Sequence, residues 1–146
     1  MDELRAWILK AEIAELITRY VALNDAADWE AVAALYTEDG RMNRPSAPQE
    51  FITGRDAILR AFRARPPRIA RHVVANILVT LADESRATAT SQILLFTGQA
   101  VAVGLPVQSP LPPLVGSYLD TLVRTTQGWR FLERRGTLDF SAPAGG

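Results

Sequence analysis

Cysteine is absent from this 146-residue chain, and histidine occurs once, as His72. Without thiols there is no disulfide framework, no thiolate nucleophile and no cysteine-bound metal. A single imidazole also leaves the common zinc ligand sets incomplete. No P-loop and no glycine-rich dinucleotide motif occurs. The chain is therefore expected to bind neither metal nor cofactor. It also lacks an excess of either charge: 16 basic residues balance 16 acidic ones. That argues against nucleic acid as a partner, since a basic footprint is the usual requirement. The cluster Arg60, Arg63, Arg65, Arg68 and Arg71 reads accordingly as a solvated helix face and the loop after it. No apolar run approaches the roughly 20 residues needed to cross a bilayer, so no membrane is expected as a partner. The acidic opening, Met1 to Arg5, lacks the basic flank of a signal peptide, and the cytoplasm is the expected compartment.

What is present suits one globular domain, expected over residues 1–140 with a flexible tail at 141–146. Nearly half the residues are apolar (48%), enough for a sizeable core. Ile13, Leu16, Ile17, Tyr20 and Val21 recur at helical spacing, with Leu4, Trp7, Ile8 and Ala11 expected to extend the stripe backwards. Asp28 is placed to cap a second helix carrying Trp29, Val32, Ala33, Leu35 and Tyr36, which Glu38-Asp39-Gly40 stops. Residues 41–44 suggest a short strand before a Pro45–Pro48 loop. Ala57, Ile58, Ala61 and Phe62 mark a third helix, ended by Pro66-Pro67.

From there the period changes to alternation. Val73, Ala75, Ile77, Val79 and Leu81 are expected on one strand face, with His72, Val74, Asn76, Leu78 and Thr80 on the other. Further strands are expected near 86–97, 117–125 and 129–140. The proline-rich segment from Gly98 to Gly116 cannot be a central strand; it reads as an arm or loop over a pocket mouth or a subunit contact. Helices followed by hairpin-linked strands give an α+β fold, with the helices in the concave face of a strongly curved antiparallel sheet. The space between the layers is a natural small-molecule pocket.

Several polar residues stand where this pattern points inward. The stripe of the first helix, continued beyond Val21, lands on Asn24 and Asp25. A buried carboxylate needs a partner, unless the helix has ended and Asp25 forms an Asx-turn. His72 is equally compatible with a core or surface histidine, and Asn76 with a loop tie. Tyr118, Asp120 and Arg124 share one strand face, where an exposed Asp120–Arg124 ion pair is the plain explanation.

The stretches Asn24-Asp25-Ala26-Ala27-Asp28-Trp29, Leu35-Tyr36-Thr37-Glu38-Asp39-Gly40, Gly54-Arg55-Asp56-Ala57-Ile58 and Arg71-His72-Val73-Val74-Ala75-Asn76, with Gly116 to Arg124 and Gly128-Trp129-Arg130-Phe131, together resemble SnoaL-like domains of the nuclear-transport-factor-2-like superfamily. The resemblance runs from about Leu4 to Asp139 and is nearest the branch holding scytalone dehydratase and hexachlorocyclohexane dehydrochlorinase. It implies a cone-shaped α+β barrel and a catalytic pair, an Asp at the end of the first helix and a His on the first long strand. Those positions fall on Asp25 and His72. A second histidine and a tyrosine of scytalone dehydratase have no match here, and Asn24 stands where that enzyme has an aromatic, so the same polyphenol is not expected as substrate.

The expected function is a cofactor-independent lyase-type reaction on a small hydrophobic molecule, with His72 as general base oriented by Asp25. Tyr20, Asn24, Asn76, Tyr118 and Arg124 are the candidates for orienting substrate. Trp29, Met42, Leu94 and Phe96 are candidates for the pocket wall, or for ordinary core packing. Isomerase or cyclase chemistry in the same pocket, or a non-catalytic binding or dimerisation module, are the alternatives. A homodimer or homotrimer through the sheet is the expected assembly, with Val73, Ala75, Ile77 and Val79 suited to the contact.

Overall fold

The computed structural model describes residues 1–102, 104–110 and 112–141. Helix α1 (Glu3–Asp25) starts where the Asp2 carboxylate accepts the Arg5 N–H at 2.7 Å, the usual N-cap arrangement. Its buried face is Leu9, Ile13, Leu16, Ile17, Tyr20, Val21 and Asn24. The expected extension through Leu4, Trp7, Ile8 and Ala11 is wrong. At about 100° per residue these side chains fall well off that face, and Trp7 is 64% exposed. The helix ends at Asp25, and Ala27, in the left-handed region at φ 55°, turns the chain into α2 (Trp29–Ala34). Asp28 caps α2 as expected, accepting the Ala31 N–H.

Helix α2 is shorter than its apolar pattern suggests, because Tyr36 already belongs to strand β1 (Tyr36–Arg44). Strand β2 (Ala47–Thr53) then pairs back on β1, where a loop was expected across Pro45–Pro48. Asn43 makes that turn possible. Its amide donates to the Gly136 and Pro48 carbonyls, and its oxygen accepts the Gly136 N–H at 2.7 Å. A fully satisfied side chain thus replaces strand pairing where β1 bends. Pro45 packs so closely on Gly136 that any Cβ there would lie 2.7 Å from its ring. Helix α3 (Arg55–Arg63) follows, then β3 (Arg68–Leu81), β4 (Arg86–Gln99), β5 (Leu114–Thr125) and β6 (Gly128–Leu138).

The six strands lie in the order β2-β1-β6-β5-β4-β3. All neighbours are antiparallel except β1 and β6, which are parallel; the sheet is mixed and does not close. The helices cover one face, with Leu9, Ile13, Ile17, Ile58 and Phe62 meeting Ala87, Ala89, Ile93, Leu122 and Phe131 in one core. The proline-rich segment is free of regular structure from 100 to 113 among the described residues, while its ends, expected in the same loop, belong to β4 (through Gln99) and β5 (from Leu114). It lies back on β4, where Ser109 donates to the Thr97 carbonyl and a Cβ at Gly98 would meet Val107 and Gln108 at 2.7 Å. The tail expected over 141–146 falls outside the described residues from 142 onward.

Two bulges decide which side chains face inward. In β3, Ala75 pairs with Gln92 but Leu78 pairs with Thr90, so two residues oppose one. Asn76 absorbs the extra residue at φ 54°. The alternation therefore changes phase. His72 and Val74 point inward before the bulge, and Ile77, Val79 and Leu81 point inward after it. The expected face Val73-Ala75-Ile77-Val79 does not exist. Val73, Ala75 and Leu78 are the ones exposed, and Ile77 and Val79 pack on the core. In β6, a shift between the partners of Thr121 and Leu122 places both Phe131 and Arg134 inward.

That second bulge creates a buried ion pair. Arg134 stands opposite Asp120 on the neighbouring strand, Nε to Oδ1 at 3.0 Å, with the two side chains 1% and 0% exposed. The guanidinium carbon lies 4.3 Å from the ring centre of Tyr20 and 3.9 Å from that of Tyr118. The expected exposed Asp120–Arg124 pair is thus replaced; Arg124 lies at the exposed end of β5.

Two outcomes follow. Asp120→Asn strands a buried cation and is expected to cost about 3–5 kcal/mol in urea unfolding, while pairing it with Arg134→Met is expected to cost less than the sum of the singles. Asn76→Gly should leave stability within about 1 kcal/mol, whereas Asn76→Val should lower it by about 1–3 kcal/mol through strain at positive φ. Equal effects of the two Asn76 variants in thermal or urea unfolding would contradict the bulge assignment.

Candidate functional site

Asp25 closes helix α1, and His72 lies five residues into β3. The two side chains meet, with the imidazole Nδ1 2.5 Å from Asp25 Oδ1. The other carboxylate oxygen, Oδ2, accepts the backbone N–H of His72 at 2.9 Å. One carboxylate therefore grips both the ring and the main chain of the same residue. The Asx-turn alternative for Asp25 is not what the structure contains. Both side chains are nearly enclosed, at 9% exposure for His72 and 8% for Asp25.

Occupying Nδ1 in this way leaves Nε2 without a protein partner among the described residues. His72 forms part of the wall of a cavity of about 410 Å³ between the helices and the sheet, within the usual range for small-molecule sites. Its buried floor is built from Tyr20, Asn24, Met42, Phe62 and Ile93. Tyr118, Leu95 and Gly116 continue the sheet side. At the rim are the exposed residues Ser46, Pro66, Pro67 and Arg68, with Arg44 and Arg65 beside them.

Of the substrate-binding candidates, Tyr20, Asn24, Met42 and Tyr118 line this cavity together with His72. The others do not. Leu94 and Phe96 lie on the opposite face of β4, 36% and 39% exposed, and the odd-numbered Ile93 and Leu95 face the cavity instead. Trp29 stacks on Phe62 from behind, ring centres 5.2 Å apart. Asn76 is spent on the bulge and donates to Gln92 outside the cavity. Arg124 is remote, its backbone N–H held by Ser85. Of the Gly98 to Gly116 segment, Leu114 and Gly116 line the cavity, and no described residue between 99 and 113 does. Sequence reasoning missed Arg44, Arg65 and Arg68. Two of them belonged to the cluster read as solvated, and the Pro66-Pro67 step that turns α3 back toward β3 was the available signal.

The electrostatics of the site are set by burial. Burial pushes the His72 imidazole below its ordinary pKa of 6.5, the hydrogen bond and charge of Asp25 oppose this, and Arg68 and Arg65 add to the lowering. His72 is thus neutral near pH 7, with a bare ring nitrogen for the cavity. Burial also raises the Tyr118 phenol to about 12, so it stays protonated as a hydrogen-bond donor. The Tyr20 and Tyr36 hydroxyls are joined at 2.9 Å. The Asn24 amide oxygen is buried without a protein donor. Among the described residues no three His, Cys, Asp or Glu side chains are grouped to hold a metal ion.

The model of the SnoaL-like domain family matches residues 7–135. The chain belongs to this family. Its SnoaL-like fold is shared by a Novosphingobium aromaticivorans protein provisionally named scytalone dehydratase, with a TM-score of 0.76, 23% identity and 97% of each chain covered. ActVI-ORFA from Streptomyces coelicolor is similar over 88% of this chain and 96% of its own, at 25% identity and TM-score 0.72. A Catenulispora acidiphila protein, solved in complex with S-DNPA, is 26% identical over 90% of this chain and 94% of its own, with a TM-score of 0.68. A search of curated proteins found no match. No helix among the described residues of this SnoaL-like chain is long and apolar enough to cross a membrane.

An NMR titration of the His72 ring is expected to give a midpoint below 6.5, falling further in Asp25→Asn because both contributions of Asp25 raise it. The sign for stability follows: the neutral imidazole suits the fold, so its contribution is complete above pH 6.5 and is lost as pH falls through the lower folded midpoint. A midpoint at or above 6.5 would contradict the burial argument.

Proposed function

We propose that this SnoaL-like domain is a cofactor-independent lyase-type enzyme acting on a small hydrophobic molecule, with His72 as general base and Asp25 as its orienting partner. The observation that carries this reading is the pairing of Asp25 with Nδ1 while His72 borders the cavity. A carboxylate on Nδ1 holds the proton there, leaves Nε2 basic, and stabilises the imidazolium formed later. In the elimination, Nε2 takes a proton from substrate carbon. The C–H electron pair becomes the new C=C bond, and the bond to the leaving oxygen breaks. The imidazolium then returns its proton to that oxygen, so water departs and His72 is neutral again. The unpaired Asn24 amide oxygen and the Tyr118 hydroxyl are suited to holding polar groups of the substrate. A solved relative provisionally named a dehydratase supports this class of reaction by likeness of fold alone.

A second reading is favoured by one specific observation. The Asp25–His72 main-chain hydrogen bond ties α1 to β3, a role that a non-catalytic binding module would also need. Isomerisation shares the proton-abstraction step but returns the proton to a different carbon, so the product keeps its mass.

The test is a turnover screen on small ring compounds carrying a hydroxyl or halide next to an acidic C–H, analysed by mass. Loss of water or hydrogen halide is expected with the wild type. His72→Ala and Asp25→Asn should reduce kcat by roughly 10²–10⁴-fold while the folded state is retained. Equal turnover in all three proteins would refute the assignment, and turnover without loss of mass would replace elimination by isomerisation.

A further inference from the structure

Three arginines reach this one cavity from separate parts of the chain: Arg44 at the end of β1, Arg65 after α3, and Arg68 at the start of β3. Among the described residues none of them is paired with a carboxylate. The nearby acid, Asp25, has both oxygens committed to His72. The three are close enough to repel one another. Burial, then the charges of Arg44 and Arg68, push Arg65 down to about 10. Arg68 is lowered by burial and Arg44, with Asp25 opposing.

Their hydrogen-bonding capacity is largely unspent. One Arg44 terminal nitrogen donates to the Ala61 carbonyl at 3.2 Å, but its Nε is buried without an acceptor. Arg65 lies with its guanidinium carbon 4.4 Å from the Phe62 ring centre, a cation–π contact that uses none of its N–H donors. Like charges gathered around a partly desolvated cavity are unfavourable unless an anion joins them. The planar fork of arginine suits a carboxylate in particular. Met42, Phe62, Ile93 and Leu95 give the interior apolar wall, with Asn24, His72 and Tyr118 as its polar points.

We propose that the cavity selects amphipathic acids, in which an apolar ring-sized body fills the interior and a carboxylate is received by Arg44, Arg65 and Arg68 at the mouth. This deepens the functional reading above by naming the substrate class of the same site. The carboxylate serves as an anchor at the rim, so the carbon that loses its proton to His72 lies deeper in the molecule. Binding the anion also offsets the two arginine charges that depress His72, which strengthens the base once substrate is in place.

The test is calorimetric binding of naphthalene-2-carboxylate against its uncharged carboxamide, with inorganic phosphate as a competitor. The wild type is expected to prefer the carboxylate by about tenfold or more, the size of a charge-assisted hydrogen bond, and less so at high salt. The preference should fall below about threefold in Arg65→Gln and in Arg44→Gln, and be partly kept in Arg65→Lys. Equal binding of acid and amide, no binding of the acid, or a preference unchanged in both glutamine variants would overturn the proposal. So would displacement by phosphate at equal concentration, which would mean a simple anion site. The outcome is independent of turnover: loss of the preference with elimination intact refutes the acid selection alone, and the reverse refutes the elimination alone.

Discussion

The arrangement rests on one carboxylate that engages both the main chain and the ring of a single residue. Asp25 takes the main-chain N–H of His72 on one oxygen and faces its ring on the other. The first bond fixes where β3 begins relative to the end of α1; the second fixes the rotation of the imidazole. Position and orientation of the ring therefore come from the same group. Enclosure would make a lone carboxylate costly, and here each of its oxygens has a partner. A side chain held at two points in this way loses little further entropy when a ligand arrives, which is the physical meaning of preorganisation.

Behind the cavity floor, a second electrostatic element supports the first. Arg134 lies beneath Tyr20 and Tyr118, which face the cavity, and is neutralised by Asp120. Desolvation raises Asp120 to about 6 despite the pair, while the Asp120 carboxylate favours the charged form of Arg134 against its burial. Replacing such a pair by apolar residues is often neutral for stability. Its value here lies in fixing the tyrosines: each ring sits over a cation that no rotamer change can escape without exposing buried charge.

The fold was legible because its signals are local or periodic. The stripe of α1, the Asp28 cap, the proline pair after α3 and the alternation after residue 68 all report short-range geometry. Asn24 and Asp25 were legible as polar residues on an inward-facing stripe, and resemblance supplied His72 as the partner across 47 positions. The errors about strand faces have a common cause in parity. One unseen bulge at Asn76 exchanged the faces of the second half of β3, and another in β6 turned Arg134 inward, where Arg124 had been expected to matter. On β4 the even-numbered Leu94 and Phe96 were chosen, and the odd-numbered residues line the cavity. A strand's hydrophobic pattern does not reveal its face when both faces carry apolar residues. Arg44, Arg65 and Arg68 were missed because their convergence is a property of three loops and strand ends meeting in space.

The charges around His72 then acquire a common logic. A general base has to be neutral before proton transfer and tolerable as a cation afterwards. Burial, Arg65 and Arg68 favour the neutral ring, and Asp25 favours the cation. Burial and the arginines leave the balance with the neutral form. On the proposed role, a carboxylate at the mouth would quench the arginines and move the balance toward the cation at the moment when a proton must be accepted. The same residues that recognise the ligand would then tune the base. An uncharged ring compound of equal size would fill the apolar walls but leave the charges of Arg65 and Arg68 acting on His72. Selectivity of this kind acts on the rate as well as on binding, since the interaction with the arginines changes with the charge that develops on the imidazole.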